Sequence, residues 1–171
     1  MTVQPIETVY RGYKFRSRLE ARYAVFLDTL GLEYAYEHEG FNLGALGWYL
    51  PDFYLPLFDC YAEVKPTVFT YGEFEKSWHV PGGCLLFDGL PVVGKGYYHT
   101  EWDKSHMPIP IKQAFNRYLS DDEYGRVLLR DSKYKRRLWY LFGESAKDYG
   151  CDEHPALAAR QARFEHGETP R

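Results

Sequence analysis

Cysteine is scarce in this chain of 171 residues, and its placement excludes two common uses of the thiol. The three cysteines, Cys60, Cys84 and Cys151, are odd in number, far apart and without CxxC spacing. A disulfide framework needs paired cysteines and a zinc knuckle needs closely spaced ones, so we predict reduced thiols. His99 and His106 fit no familiar zinc spacing either, and we predict that they are isolated surface residues.

Long apolar runs are also missing from the sequence. No stretch approaches the roughly eighteen consecutive apolar residues of a membrane-spanning helix. The opening residues Met-Thr-Val-Gln-Pro lack the basic-then-apolar order of a signal peptide. We therefore expect a cytoplasmic protein that does not associate with a membrane. The sequence also has no internal repeat, zinc finger or clear helix-turn-helix motif.

The chain has no excess of positive charge, since 21 Lys and Arg against 24 Asp and Glu give a net charge of −3. Any affinity for nucleic acid must therefore come from local basic clusters.

The overall composition, with 45% hydrophobic and 26% charged residues, is ordinary for a globular protein. The length of the chain predicts a single domain over residues 1 to 171. Aromatic residues reach 18%, and we expect most of them in the core, with stacking on bases as the alternative use.

Residues 48 to 66 form two strand-like runs joined by a short turn, and they carry Asp52, Glu63 and Lys65. Because side chains alternate along a strand, Tyr61, Glu63 and Lys65 share one face, while the residues between them share the other. Pairing of the two runs as a hairpin brings Asp52 beside Glu63. Two carboxylates and an ammonium group in one small volume suit a divalent cation held by oxygen ligands.

These residues carry a resemblance to a known family. Pro51-Asp52 followed by Glu63-Val64-Lys65 resembles the signature of the PD-(D/E)XK nuclease superfamily. That superfamily includes restriction endonucleases, Holliday junction resolvases and TnsA-like transposon nucleases. The run over residues 10 to 22 also resembles the N-terminal signature of small bacterial and phage endonuclease-like proteins.

The resemblance covers residues 10 to 93 and implies an α/β (α+β) fold with a restriction-endonuclease-like core. Such a core has a central mixed sheet and the order helix, strand, strand, strand, helix, strand. Residues 94 to 171 would form a loop-rich and helical C-terminal extension of the same domain. Local patterns predict an extended segment over 7–15 with a turn at Gly12, a helix from Ser17 to Gly31, a strand over 33–41, a turn over 44–47, helices over 71–79 and 155–164, and a strand over 84–93.

Glu20 has two interpretations. Ser17 and Glu20 fit a capping box, in which each side chain accepts a hydrogen bond from the other residue's backbone N–H. The resemblance implies a different role, because TnsA-like nucleases take a metal-side carboxylate from the helix ahead of the motif strands. We favour Glu20 as a site residue.

The resemblance implies that Glu20, Asp52, Glu63 and Lys65 are the catalytic residues. Asp52 and Glu63, together with Glu20, would hold Mg²⁺, or Mn²⁺ as a substitute. The metal would activate a water, and Lys65 would stabilise the extra negative charge of the transition state. The alternative interpretation is a surface cross-strand ion pair of Glu63 with Lys65 or with a neighbouring residue.

Two basic clusters are candidates for nucleic-acid contacts. The first surrounds the start of the predicted first helix, and the second lies among aromatic residues in the C-terminal half. Their members are Arg11, Lys14, Arg16, Arg18 and Arg22 in the first, and Lys133, Lys135, Arg136 and Arg137 in the second. The alternatives are a solvated helix face balanced by Glu33, Glu37 and Glu39, and an amphipathic segment with buried aromatic residues.

Together these features predict a Mg²⁺-dependent endonuclease that hydrolyses phosphodiester bonds, with DNA favoured over RNA. The alternative is a catalytically silent nuclease-fold protein that serves as a nucleic-acid or protein binding subunit in a phage, defence or transposition complex. A third hypothesis, an accidental pattern in a structural or inhibitor protein, predicts no binding of divalent metal. The expected partner is nucleic acid, and a homodimer or a larger protein complex stays open.

Overall fold

The computed structural model describes residues 4 to 92, 95 to 99, 109 to 110 and 154 to 164. In chain order its strands are β1 (Thr8–Tyr10), β2 (Tyr13–Phe15), β3 (Ala35–Tyr36), β4 (Phe41–Asn42), β5 (Trp48–Tyr49), β6 (Phe53–Leu55), β7 (Cys60–Lys65), β8 (Cys84–Asp88), β9 (Tyr97–His99) and β10 (Ile109–Pro110). The α-helices of this part of the chain are α1 (Arg18–Leu30), α2 (Tyr71–Trp78) and α3 (His154–Gln161). None of them combines the length and the apolar character that crossing a bilayer requires.

A mixed sheet of six strands, in the order β10-β9-β8-β7-β6-β3, organises the described residues. Neighbouring strands run antiparallel, except β7 and β8, which are parallel. A parallel pair needs a crossover connection, and α2 lies between these two strands in the chain. The predicted mixed α/β class is confirmed. Two further antiparallel pairs, β1 with β2 and β4 with β5, lie outside this sheet.

Helix α1 forms where the sequence predicts it, because a capping residue lies at each of its ends. The Ser17 hydroxyl accepts a hydrogen bond from the Glu20 backbone N–H (3.2 Å) and caps the first turn. Gly31 ends the helix in the left-handed conformation, with φ of 67°. The buried residues recur at helical spacing and include Tyr23, Phe26, Leu27 and Leu30.

Strand β7 separates two apolar clusters. Cys60, Ala62 and Val64 belong to the larger cluster, to which α1 and α3 also contribute buried residues. Tyr61 belongs to the smaller cluster on the opposite face, together with Leu86 of β8. The predicted alternation along this strand is therefore confirmed. It places the charged residues of β7, Glu63 and Lys65, on the same face as Tyr61.

The strand predicted over residues 33 to 41 is wrong. Ala35–Tyr36 pair with β6, whereas Phe41–Asn42 pair with β5 in a separate ribbon. The break lies at Glu37, whose φ of 48° is incompatible with a strand. Its N–H donates to the Asp52 carbonyl at 2.9 Å, so a contact with a distant residue stabilises the turn.

Two predictions near the other end of the sheet also need correction. The strand predicted over 84 to 93 ends at Asp88, because Gly89 turns the chain with φ of 72°. His99, predicted at the surface, is only 1% exposed, and its Nδ1 lies 2.9 Å from the buried Ser77 hydroxyl. This contact ties β9 to α2.

The predicted thiol state is confirmed where it is described. Cys60 and Cys84 are free and buried. Burial raises the pKa of both thiols, which keeps them protonated. Cys151, His106 and the basic cluster Lys133, Lys135, Arg136 and Arg137 lie outside the described residues.

Replacing Gly82 by alanine is expected to destabilise the fold. Gly82 has φ of +75°, and an added β-carbon would overlap the Asp59 carbonyl oxygen in the turn before β7. The left-handed backbone and the overlap together predict a loss of at least about 2 kcal/mol in the free energy of unfolding. Urea denaturation of Gly82→Ala measures this loss.

Gly72→Ala is the matched control. Gly72 lies in the first turn of α2, and an added β-carbon there meets no atom within 4 Å. The higher helix propensity of alanine predicts a gain of up to about 1 kcal/mol. A Gly82→Ala variant as stable as the wild type would contradict the close approach of the two turns.

Candidate functional site

The pairing of β6 with β7 brings two predicted site residues together. Phe53 lies opposite Ala62 in this antiparallel pair, so Asp52, one residue before β6, falls opposite Glu63. Asp52 Oδ2 accepts a hydrogen bond from the Val64 N–H at 2.8 Å, which fixes the carboxylate against β7. Both acids are almost fully buried, with exposed fractions of 3% for Asp52 and 5% for Glu63. The predicted hairpin is confirmed.

The carboxyl group of Asp52 is difficult to ionise. Burial is the main cause that raises its pKa well above the usual range, and the carboxylates of Glu63 and Glu20 raise it further. The Val64 N–H and the Arg16 guanidinium act in the opposite direction without compensating fully. Additional positive charge at this point would therefore stabilise the ionised carboxylates.

Glu63 and Lys65 form a close ion pair on one face of β7. Lys65 Nζ lies 2.7 Å from Glu63 Oε1, and the Tyr49 hydroxyl donates to Glu63 Oε2 at 3.3 Å. Burial raises the pKa of Glu63, and the Lys65 ammonium offsets this only in part. Burial by itself would lower the pKa of Lys65, but Glu63 raises it overall, so the amine stays protonated. The ion pair of the alternative interpretation is therefore present, but it does not lie at the surface as expected, because the Glu63 side chain is only 6% exposed.

Glu20 serves the helix start and also lies near Asp52. Its Oε1 accepts from the Ser17 hydroxyl at 2.7 Å, and its Oε2 accepts from the Tyr36 hydroxyl at 2.6 Å and from the Arg16 N–H at 3.0 Å. The capping box forms only in part, because Glu20 reaches the backbone of Arg16 rather than that of Ser17. Since Glu20 also raises the pKa of Asp52, its charge acts at the same site.

The donor set suits a metal with few protein ligands. Within residues 4–92, 95–99, 109–110 and 154–164, no group of three or more His, Cys, Asp or Glu side chains is arranged to hold a metal ion. The three-carboxylate ligand set of Glu20, Asp52 and Glu63 therefore stays a prediction. Mg²⁺ commonly binds through one or two carboxylates and completes its shell with water and substrate oxygens. Asp52 and Glu63 fit that smaller requirement.

The first basic cluster is largely neutralised by acidic partners. Arg11 Nε lies 3.2 Å from Asp28 Oδ2, and Lys14 Nζ lies 2.7 Å from Glu7 Oε2. Arg16 pairs with both Glu37 and Asp52, while Arg18 and Arg22 are half-buried in α1. Of the acidic residues expected to balance this cluster, Glu37 does so. A role of these five residues in nucleic-acid binding stays a prediction.

Sequence reasoning missed the tyrosine donors of the site. Tyr36 and Tyr49 donate to Glu20 and Glu63, respectively. Both phenol pKa values are raised, with burial as the main cause, so each hydroxyl keeps the proton that it donates. Tyrosine is abundant in the chain, but no local pattern distinguishes these two from tyrosines that pack in the core.

Comparison with protein-family models, with curated proteins and with solved structures finds no match to this chain. The geometry and electrostatics of the site are therefore the basis for proposing what it does.

Replacing Asp52 by asparagine is expected to stabilise the protein at alkaline pH in the presence of EDTA. Because the pKa of Asp52 is raised on folding, its ionisation costs free energy in the folded state, and stability falls as pH rises through that pKa. Asp52→Asn removes this cost and loses part of the contact with Arg16. We expect a net gain on the order of 1 kcal/mol at pH 8, shrinking towards pH 5.

Thermal unfolding at the two pH values measures the effect. Asp59→Asn is the matched control, because Asp59 is exposed and has φ of 48°, a conformation that asparagine tolerates. The control should show no comparable dependence of the gain on pH. A gain for Asp52→Asn that grows towards acidic pH would contradict the raised pKa.

Proposed function

We propose that the protein is a metal-dependent nuclease that hydrolyses phosphodiester bonds, with Mg²⁺ as its metal and DNA favoured over RNA. The observation that carries the proposal is the juxtaposition of Asp52 and Glu63 at opposite positions of paired strands, with Lys65 2.7 Å from Glu63. Further support comes from element order. The elements of the main sheet and its helices follow in the order α1, β3, β6, β7, α2, β8, and the family resemblance implies the same order, helix, strand, strand, strand, helix, strand.

The charge balance of the site favours a cation. Glu20, Asp52 and Glu63 are buried carboxylates; Arg16 pairs with Asp52, and Lys65 pairs with Glu63. Like charges at short range in a poorly solvated site repel strongly. Asp52 and Glu63 would hold Mg²⁺ between them, which would relieve this repulsion. Bound there, Mg²⁺ supplies a Lewis acid and a water of lowered pKa.

Lys65 would stabilise the charge that develops on the phosphate. Its ammonium stays protonated and is held between Glu63 Oε1 at 2.7 Å and Glu73 Oε1 at 3.8 Å. The side chain is 34% exposed, so a substrate phosphate has access to it. A fixed positive charge in that position favours the transition state, which carries more negative charge than the substrate.

A second candidate is a nuclease-fold protein that binds nucleic acid or a protein partner without cleaving, as a subunit of a phage, defence or transposition complex. One observation favours it. Each of the six carboxylate oxygens of Glu20, Asp52 and Glu63 has a hydrogen-bond or ion-pair partner within the chain. A purely structural polar network would have this character.

Cleavage assays separate the two candidates. Purified protein is incubated with plasmid, single-stranded DNA and RNA in Mg²⁺, Mn²⁺ or EDTA. We expect cleavage with either metal and none in EDTA. Lys65→Ala and Glu63→Gln should each lower the rate by about two to three orders of magnitude, because each removes a group that acts on the transition state or the metal.

Lys76→Ala is the matched control, since Lys76 is a lysine of α2 outside the network described above. It should cleave like the wild type. Cleavage that survives in EDTA, or that proceeds at the wild-type rate in Lys65→Ala, would exclude the proposed mechanism. Binding of nucleic acid without cleavage by the wild type would favour the second candidate.

A further inference from the structure

Arg16 is an exposed residue that contacts two of the three buried carboxylates. It connects β2 to the cap of α1, and its backbone N–H donates to Glu20 Oε2 and to the Tyr36 hydroxyl, both at 3.0 Å. Its side chain pairs with two acids, with Nη2 3.0 Å from Asp52 Oδ1 and Nε 2.6 Å from Glu37 Oε1. The backbone of Arg16 is therefore anchored, while its guanidinium bridges two acids.

The guanidinium is more exposed than the group it covers. The Arg16 side chain is 55% exposed and that of Asp52 only 4%. The second oxygen of Asp52 is held by the Val64 N–H within the sheet. Oδ1 is therefore the oxygen of Asp52 that can change its partner without breaking a strand contact. A divalent cation at Asp52 would need this oxygen, so the cation and Arg16 compete for it.

We infer that Arg16 is an exchangeable cation of the site: it occupies Asp52 Oδ1 until a divalent metal takes that oxygen, and it then binds the substrate phosphate. This inference rests on the proposed metal binding at Asp52 and Glu63. Arginine suits both positions, because its planar fork of N–H donors matches carboxylate and phosphate oxygens equally well. Glu37, 29% exposed, keeps one edge of the fork oriented during the exchange.

The competition has a consequence that does not depend on catalysis. With Arg16 removed, the metal no longer has to displace a charge-assisted hydrogen bond from Asp52. Arg16→Gln should therefore bind Mn²⁺ roughly tenfold more tightly than the wild type, although it loses a favourable contact in the metal-free protein. A purely structural arginine predicts the opposite, because its loss would loosen the site and weaken metal binding.

Titration calorimetry with Mn²⁺, without nucleic acid, tests the inference. Lys95→Gln is the matched control, since Lys95 makes a similar ion pair with Asp88, its side chain is 51% exposed, and it belongs to none of the predicted sites. Its Mn²⁺ affinity should equal that of the wild type. Arg16→Lys, which keeps the charge and loses the fork, should fall between the wild type and Arg16→Gln. Both Arg16 variants should bind DNA less tightly than the wild type and Lys95→Gln in the presence of Ca²⁺, used as a non-catalytic ion.

The outcomes distinguish this inference from the proposed function. If the wild type binds Mn²⁺ and both Arg16 variants bind it equally or more weakly, the exchange role of Arg16 is overturned. The proposed metal site at Asp52 and Glu63 would still be supported by that result. Absence of Mn²⁺ binding by the wild type and by every variant would overturn both. Circular dichroism of each variant establishes that it is folded, and Arg16→Lys keeps the test valid should Arg16→Gln fail to fold.

Discussion

The burial of three neighbouring carboxylates is the constraint on which the site and much of the surrounding fold depend. Glu20, Asp52 and Glu63 are each less than a tenth exposed. Removing a carboxylate from water costs several kcal/mol unless hydrogen bonds and opposite charges compensate. Within the described residues, donors and cations reach all six oxygens. Loss of any one of these donors or cations would remove a partner from a buried carboxylate. The contacts therefore constrain how the strands and helices pack around the site.

Each element that reaches the site supplies part of this compensation. The segment between β2 and α1 supplies Arg16, and β7 supplies Lys65 and the Val64 N–H. Tyr36 of β3 and Tyr49 of β5 add hydroxyl donors while their rings pack against the apolar clusters. Tyrosine suits this double task because it joins an apolar ring to a polar tip. The high tyrosine content of the chain therefore serves both the core and the site.

The two cations of the site are held very differently, and this difference shapes what the site can do. Lys65 is two residues from Glu63 on the same strand face, so the sheet itself keeps the pair together. Arg16 comes from a connection between elements, and its contact with Asp52 spans 36 positions of the chain. A side chain in a connection can change partners without disturbing the sheet. Under the proposed function, the site would combine a positive charge fixed by the sheet, on Lys65, with an exchangeable one, on Arg16.

Features set by neighbours along the chain were determined by the sequence itself. They include both ends of α1, the crossover helix α2, the two faces of β7 and the spacing of Asp52 and Glu63. The tertiary structure decided the turn at Glu37, the burial of His99, and the partners of Arg16 and of the site tyrosines. Backbone periodicity and capping act over a few residues and leave local patterns. Burial and electrostatic neighbours depend on which distant segments pack together, and no local pattern records that.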